Sequence, residues 1–199
     1  MKKLILITSI ITAIFSSAFA KTEGNLLGVD VLRSSARSDY NFTEYHTRTA
    51  DYKDSKTGLG INYKYAFNFN GIFVAPGVFF DYIGAEMQDY KGDTVSTKYR
   101  YGAKFDIGYD VTDNFSAYFT NGVANNAYKV DWKSWDQKTS SMEAGYFYGA
   151  GLSYKVTQNV ALNFEYNIAK SLDYKTPYDP DMKGEAELKV AKLGISYNF

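Results

Sequence analysis

Along most of this chain apolar and polar residues alternate one by one. The clearest run is Tyr99–Tyr109, where Tyr99, Tyr101, Ala103, Phe105, Ile107 and Tyr109 interleave with Arg100, Gly102, Lys104, Asp106 and Gly108. A period of two belongs to a strand with one apolar face, and no helix produces it. The pattern recurs in both directions. Gly24–Arg33 sets Leu27, Val29 and Val31 against Gly28 and Asp30, and Leu59, Ile61, Tyr63, Tyr65 and Phe67 alternate with Gly60, Asn62, Lys64 and Ala66. Ile72–Gly84 is apolar on both faces, with Val74, Pro76, Val78, Phe80 and Tyr82 on one and Phe73, Ala75, Gly77, Phe79 and Asp81 on the other. Pro76 lacks a ladder donor, so a bulge or bend is expected there. Phe115 to about Ala127 is a strand whose facing becomes ambiguous around Asn121. Met142–Lys155 sets Ala144, Tyr146, Tyr148, Ala150, Leu152 and Tyr154 against Gly145, Phe147, Gly149, Gly151 and Ser153. Leu162, Phe164, Tyr166 and Ile168 give a seventh apolar face. Leu188–Phe199 completes eight, with Ala191, Leu193, Ile195, Tyr197 and Phe199 on its apolar side.

The connections fall into two kinds that alternate strictly. Asn68-Phe69-Asn70-Gly71, Val111–Asn114 and Val156–Asn159 are short turns, and the Asn-Gly pair suits positive φ. G-Y-D-V-T-D-N-F around the second resembles S-Y-K-V-T-Q-N-V around the third, so two strands and a long connection form an internal repeat. Ser34–Lys56, Ala85–Ser96, Tyr128–Ser140 and Leu172–Glu185 have no period and read as long loops. An even number of strands places both chain ends on the side of the short turns.

Alternation leaves open which face points inward, and a soluble barrel around a ligand would bury the apolar one. Volume decides. Eight strands enclose room only for side chains to fill, and the apolar faces carry too many Tyr, Phe, Leu, Ile and Val for that space, whereas the opposite faces are rich in Gly, Ala, Ser and Asn. The small residues therefore belong inside and the large ones outside, in contact with lipid. The inward faces also bring Asp30, Lys64, Asp81, Arg100, Lys104, Asp106, Lys155, Glu165 and Lys192 together. Burying these charges is costly unless they pair, so a salt-bridge network filling the lumen is expected. On the outside, Phe67, Tyr109, Phe115, Tyr154, Tyr197 and Phe199 gather by the short turns. Tyr82, Tyr99, Tyr146 and Tyr174 gather by the loops, making two aromatic girdles around an apolar band.

The first residues agree with export. Lys2 and Lys3 precede an apolar run from Leu4 to Phe15 and the small Ala18-Phe19-Ala20 site, the pattern of a secretory signal peptide over residues 1–20, with the barrel domain over 21–199. The run is too short for a membrane helix, and no later stretch approaches one. The 19 Tyr, 14 Phe and 16 Gly against three Pro fit a strand-rich chain, and the lack of cysteine means that no disulfide holds it together. A formal charge of zero gives no footprint for nucleic acid.

The signal peptide, eight amphipathic strands, four long loops and the Leu193, Ile195, Tyr197, Phe199 ending resemble the small eight-stranded outer-membrane β-barrels of OmpA, OmpX and opacity-protein type. The resemblance implies an all-β, antiparallel, up-and-down transmembrane barrel in a Gram-negative outer membrane, in contact with lipid and lipopolysaccharide. It also implies that the last strand, ending at Tyr197 and Phe199, is read by the barrel-assembly machinery. The chain ends with the barrel, so no periplasmic peptidoglycan-binding domain is expected.

Candidate chemistry is sparse. His46 is the sole histidine; small barrels that modify lipid A exist, but no motif of theirs maps onto His46 and its neighbours, and a lone loop histidine is ordinarily solvated. Asp179, Asp181 and Glu185 offer oxygen ligands of the type Ca²⁺ takes, though loop acids are usually solvated. Asn41-Phe42-Thr43 and Asn114-Phe115-Ser116 match the glycosylation pattern at chance level. No cofactor, metal or catalytic residue is assigned. The loops are more informative. Tyr40, Tyr45, Tyr52, Tyr90, Trp132, Trp135 and Tyr178 stand among Ser, Asp, Asn, Thr and Lys, a mixture resembling binding loops in which rigid aromatics supply contact area. The reading is a non-enzymatic surface antigen or adhesin, or a membrane-structural protein, with a filled lumen and loops that meet a host or environmental ligand. A narrow porin-like channel is the alternative, and a lipid A-modifying enzyme a second one.

Overall fold

The computed structural model describes residues 21–42, 46–50, 55–88, 94–132, 137–171, 174–176 and 179–199, with the outermost parts of the long strands described by their backbone alone. Regular structure among them is entirely β: β1 Gly24–Phe42, β2 His46–Ala50, β3 Ser55–Phe69, β4 Ile72–Gln88, β5 Thr94–Asp110, β6 Phe115–Trp132, β7 Gln137–Lys155, β8 Val160–Ser171, β9 Tyr174–Thr176 and β10 Asp179–Asn198. Eight of these close into an antiparallel ring in the order β1-β3-β4-β5-β6-β7-β8-β10, with β10 pairing back onto β1 from Leu26↔Asn198 to Tyr40↔Gly184. Closure leaves none of the eight with an unpaired edge. The short β2 and β9 add to the outer ends of β1 and β10.

The short turns follow their residues. Asn70 and Gly71 take φ of 57° and 98° between the paired Phe69 and Ile72, the two positive values a two-residue hairpin needs. At the other two turns a threonine hydroxyl accepts the backbone N–H groups two and three residues on: Thr112 Oγ1 from Asn114 and Phe115, and Thr157 Oγ1 from Asn159 and Val160, at 3.3 and 3.0 Å in each case. The sequence repeat is thus a repeated turn.

Three expectations are corrected. Pro76 causes no bulge: the register between β3 and β4 is the same on both sides of it. The shift lies instead between Tyr82 and Ala85, where Gly84 adopts a φ of 63° that few other residues accept. The long loops are much shorter than expected, because the strands run on into them. β1 continues through Ser34–Phe42, β6 through Tyr128–Trp132 and β10 begins at Asp179. Strands of 17 to 20 residues such as β4, β5, β6, β7, β1 and β10 far exceed the 9–11 or so that cross a bilayer. Since the connections at the other end are tight turns, the excess projects on the side of the long connections.

The third correction concerns the interior, which is not filled by small residues and charges alone. Leu32, Phe79, Ile83, Ala124, Phe147, Ala169, Leu188 and Val190 form a buried apolar cluster towards the long connections, and Leu26, Ala66, Phe73, Ala75 and Tyr118 form a second towards the short turns. Space for the rings comes from cross-strand glycines: Phe73 pairs with Gly108, Tyr118 with Gly151 and Phe147 with Gly122. Each ring lies where the glycine's own side chain would have stood. Gly108→Ala drives a methyl group into the Phe73 ring and to 2.7 Å from the Ala117 carbonyl oxygen. We expect it to destabilise the barrel by about 1–3 kcal/mol, read as a lower urea midpoint in lipid vesicles.

The outer wall is the reverse of a soluble protein's surface. Leu59, Val123 and Leu193 are 65, 61 and 63% exposed in mid-wall, and the apolar surface runs around the whole ring. Tyr109, Tyr197 and Phe199 border it by the short turns, and Tyr82 and Tyr146 by the long connections. A continuous apolar band between aromatic girdles is the surface of a barrel embedded in a bilayer.

Candidate functional site

The inward positions of the middle of the ring carry a connected chain of polar side chains. Lys64 of β3 bonds Asp106 of β5 at 3.0 Å. Lys104, also of β5, stands 3.5 Å from Asp106 and reaches across the lumen to Glu165 of β8 at 2.6 Å. Glu165 accepts from Asn167 Nδ2 at 3.0 Å, and Asn167 Oδ1 accepts from Arg100 Nη2 at 3.2 Å. Arg100 Nε donates to Asp81 of β4 at 2.8 Å, and the other Asp81 oxygen accepts from Lys192 of β10 at 2.7 Å. The guanidinium of Arg100 also packs against both the Phe79 and Phe147 rings, 5.3 and 5.6 Å from their centres, which ties the charged layer to the apolar one above it.

The pairing is locally neutral: Lys64, Arg100, Lys104 and Lys192 face Asp81, Asp106 and Glu165, with Asp30 as the fourth acid. Asp30 is buried beside Gly60 and Gly194 and accepts from Asn62 Nδ2 at 2.8 Å. Such a layer is tolerated in a low-dielectric interior because seven of its eight charges meet an opposite one directly and the eighth, Asp30, takes the Asn62 hydrogen bond. Lys155 stands apart from it. It ends β7 at the short-turn mouth, with Asp110 and Asp113 as its electrostatic neighbours.

A separate polar cluster closes that mouth. Asp110 accepts from the Thr22 backbone N–H at 3.1 Å, the Thr22 hydroxyl at 2.7 Å, Ser116 Oγ at 2.7 Å and Asn68 Nδ2 at 2.8 Å. Thr22, just before β1, is thereby held inside the barrel end. Between this cluster and Tyr118 lies a cavity of about 30 Å³ lined by Lys64, Lys155 and Asn163 among others, room for two or so waters.

Several of these positions escape inspection of the charges alone. Asn62, Asn167 and Tyr118 share the inward faces of their strands, and Asn163-Phe164-Glu165-Tyr166-Asn167 shows the polar alternation that marks the last of them. Thr22 and Asp110 lie at strand ends, where alternation stops, and no sequence signal joins them.

At the other end the apolar band gives way to Arg33, Thr57, Lys98, Lys170, Glu187 and Lys189 on the ring. Arg33 donates to Ser55 Oγ at 2.7 Å and Lys189 pairs with Glu187 at 3.1 Å. Of the aromatic contact candidates, Tyr45, Tyr52, Tyr90, Trp135 and Tyr178 lie outside the described residues. Tyr40 and Trp132 are described by backbone only, near the outer ends of β1 and β6 rather than in loops. His46, which opens β2, Asp179, Asp181 and Glu185 on β10 are likewise described by backbone alone. At the chain's end, Phe199 donates its N–H to the Asn25 carbonyl at 3.0 Å, and its ring meets Tyr197 edge-on at 5.0 Å. Ile195 and Leu193 continue the same outward row.

Solved structures share this architecture. Ail, the attachment invasion locus protein of Yersinia pestis, crystallised with the heparin analogue sucrose octasulfate, is 16% identical, with 88% of this chain and 99% of that one covered and a TM-score of 0.54. Neisserial surface protein A is 16% identical over 87 and 97% of the two chains, with a TM-score of 0.51. OprG of Pseudomonas aeruginosa is 13% identical over 90 and 98%, with a TM-score of 0.52. These identities speak for the fold, and no curated protein matches the sequence. The profile of the outer membrane protein beta-barrel domain matches residues 6–199. The closed ring, its lipid-facing band and this match over nearly the whole length agree: the chain belongs to the outer membrane protein beta-barrel family and resides in the outer membrane of a Gram-negative bacterium.

Proposed function

We propose that the barrel is a surface-contact protein, an adhesin or surface antigen, whose lumen does not conduct and whose ligand meets the projecting strand ends and the long connections. The observation that carries this reading is the asymmetry of the ring. Strands of up to 20 residues extend past the apolar band on one side only, while the interior is filled by two apolar clusters and an ion-paired layer. Material has been invested in an outer platform, and none in a pore. Of the contact candidates, Tyr40 and Trp132 fall on the outer stretches of β1 and β6, and Tyr45, Tyr52, Tyr90, Trp135 and Tyr178 fall in the sequence of the long connections. The basic side chains Arg33, Lys98, Lys170 and Lys189 stand where the phosphates of lipopolysaccharide would meet the barrel. Ail, named for attachment and crystallised with a sulfated heparin analogue, makes a polyanionic glycan a sensible first ligand to try. On this reading the chain carries out no catalysis, and His46 has no chemical role.

The test replaces residues 34–56, 85–96, 128–140 and 172–185 by short turns and measures attachment of expressing cells to heparin-coated and host-cell surfaces. Attachment is expected to fall to the level of cells without the protein, and unchanged attachment refutes the reading. The channel alternative is decided by planar-bilayer recording of the refolded barrel. We expect silence. Stable conductance that changes with Lys104→Ala would establish a channel instead.

A further inference from the structure

One side chain interrupts the apolar band at mid-depth. Asn121 projects outward from the middle of β6, between Phe119 and Val123 along the strand and between Phe105 of β5 and Tyr148 of β7 across it. It is six residues from Phe115 at the short-turn girdle and six from Ala127, the partner of Tyr99 at the outer girdle. Other outward amides sit at the rims: Asn25 accepts from Tyr63 Oη at 2.6 Å, and Asn125 is level with Tyr101. There water and headgroups can satisfy them, but neither reaches the middle of the band. The carboxamide of Asn121, with two donors and an acceptor, has no hydrogen-bond partner among the described residues. Facing hydrocarbon in that state carries a free-energy cost that no contact among the described residues offsets.

The wall beside it is also cut back. Along one diagonal through Asn121 stand Ala103, opposite Val123, and Ala150, opposite Phe119, both exposed, while the other diagonal carries Ile107 and Tyr146. Elsewhere the band at this depth is lined by Ile61, Val78, Phe164 and Leu193. Small residues flanking a polar one are what allow two protein surfaces to approach within a membrane and hydrogen-bond.

We propose that this face of β6 is a two-fold contact between two copies of the chain, with Asn121 on the axis. Copies inserted in the same membrane share one orientation, so the axis runs along the membrane normal and each residue meets groups at its own depth. Only a residue on the axis meets itself. A carboxamide is complementary to itself, since each N–H can face the other's C=O, and two hydrogen bonds result. An acyl chain offers neither. Barrel strands tilt by about 35–45°, so the two β6 strands cross steeply and touch around one point. A single amide between two alanines is enough for such a crossing.

The chain contains no cysteine, so Asn121→Cys introduces one thiol. Oxidising outer membranes that carry Asn121→Cys is expected to give a disulfide-linked dimer. Val29→Cys, outward on β1 and four strands away in the ring, is expected to give none. In sedimentation equilibrium of the refolded protein in micelles, the wild type should dimerise. Asn121→Leu, which suits a lipid-facing site and keeps the fold, should weaken association about tenfold, the worth of two hydrogen bonds in a membrane. Equal cross-linking at both positions, a monomeric wild type, or an Asn121→Leu barrel that associates as tightly as wild type would each overturn the proposal and leave the face to lipid.

Discussion

Asp81→Ala is expected to lower the stability of the barrel by about 3–5 kcal/mol, the usual cost of removing one partner from a buried ion pair. Asp81 is fully buried and binds two cations at once, Arg100 at 2.8 Å and Lys192 at 2.7 Å. Its loss leaves both beneath the apolar cluster of Phe79 and Phe147, where water cannot replace the carboxylate. The measurement is the urea midpoint of the refolded protein in lipid vesicles, with planar-bilayer recording of the same sample. Replacing the three together, Asp81→Leu with Arg100→Met and Lys192→Met, should recover most of the loss, because the penalty comes from the unpaired charges. If Asp81→Ala alone unfolds at the wild-type midpoint, the charged layer does not stabilise the ring.

Deleting Phe199 should have its largest effect before the barrel exists. In the folded ring the residue is 70% exposed and adds one backbone hydrogen bond to Asn25 and one edge-on contact with Tyr197. Together these are worth on the order of 1–2 kcal/mol, too little to unfold a closed barrel. We expect the heat-modifiable, folded band in outer-membrane fractions to fall severalfold, while material refolded from urea keeps nearly the wild-type midpoint. That split assigns Leu193, Ile195, Tyr197 and Phe199 to recognition by the assembly machinery. A loss of equal size in both measurements would make them ordinary wall residues.

The strands were legible because a wall with lipid on one side and a packed lumen on the other imposes the period of two, as in Tyr99–Tyr109. Their outer limits were not. Ser34–Tyr40 reads S-S-A-R-S-D-Y, without alternation, yet it pairs with β10 residue for residue. The members of the charged layer could be named from facing alone. Which of them touch could not, because Lys104–Glu165 and Lys192–Asp81 join strands that are not neighbours. The inner rings were missed for the same reason: Phe73, Tyr118 and Phe147 fit only because register sets each against a glycine. The doubtful facing at Asn121 was a real signal. Its strand does keep the alternation, and the residue that spoils the pattern is a polar group aimed at lipid.

The bonds that cross the lumen also have a mechanical consequence. A ring of strands joined only to its neighbours can be squeezed into an ellipse, since each hinge between adjacent strands gives a little. Lys104 to Glu165 and Lys192 to Asp81 run between strands separated around the circumference and act as spokes. With spokes in two directions the cross-section resists flattening under the lateral pressure of the bilayer. The spacing of the strand ends above the membrane is then set from within rather than by the surrounding lipid.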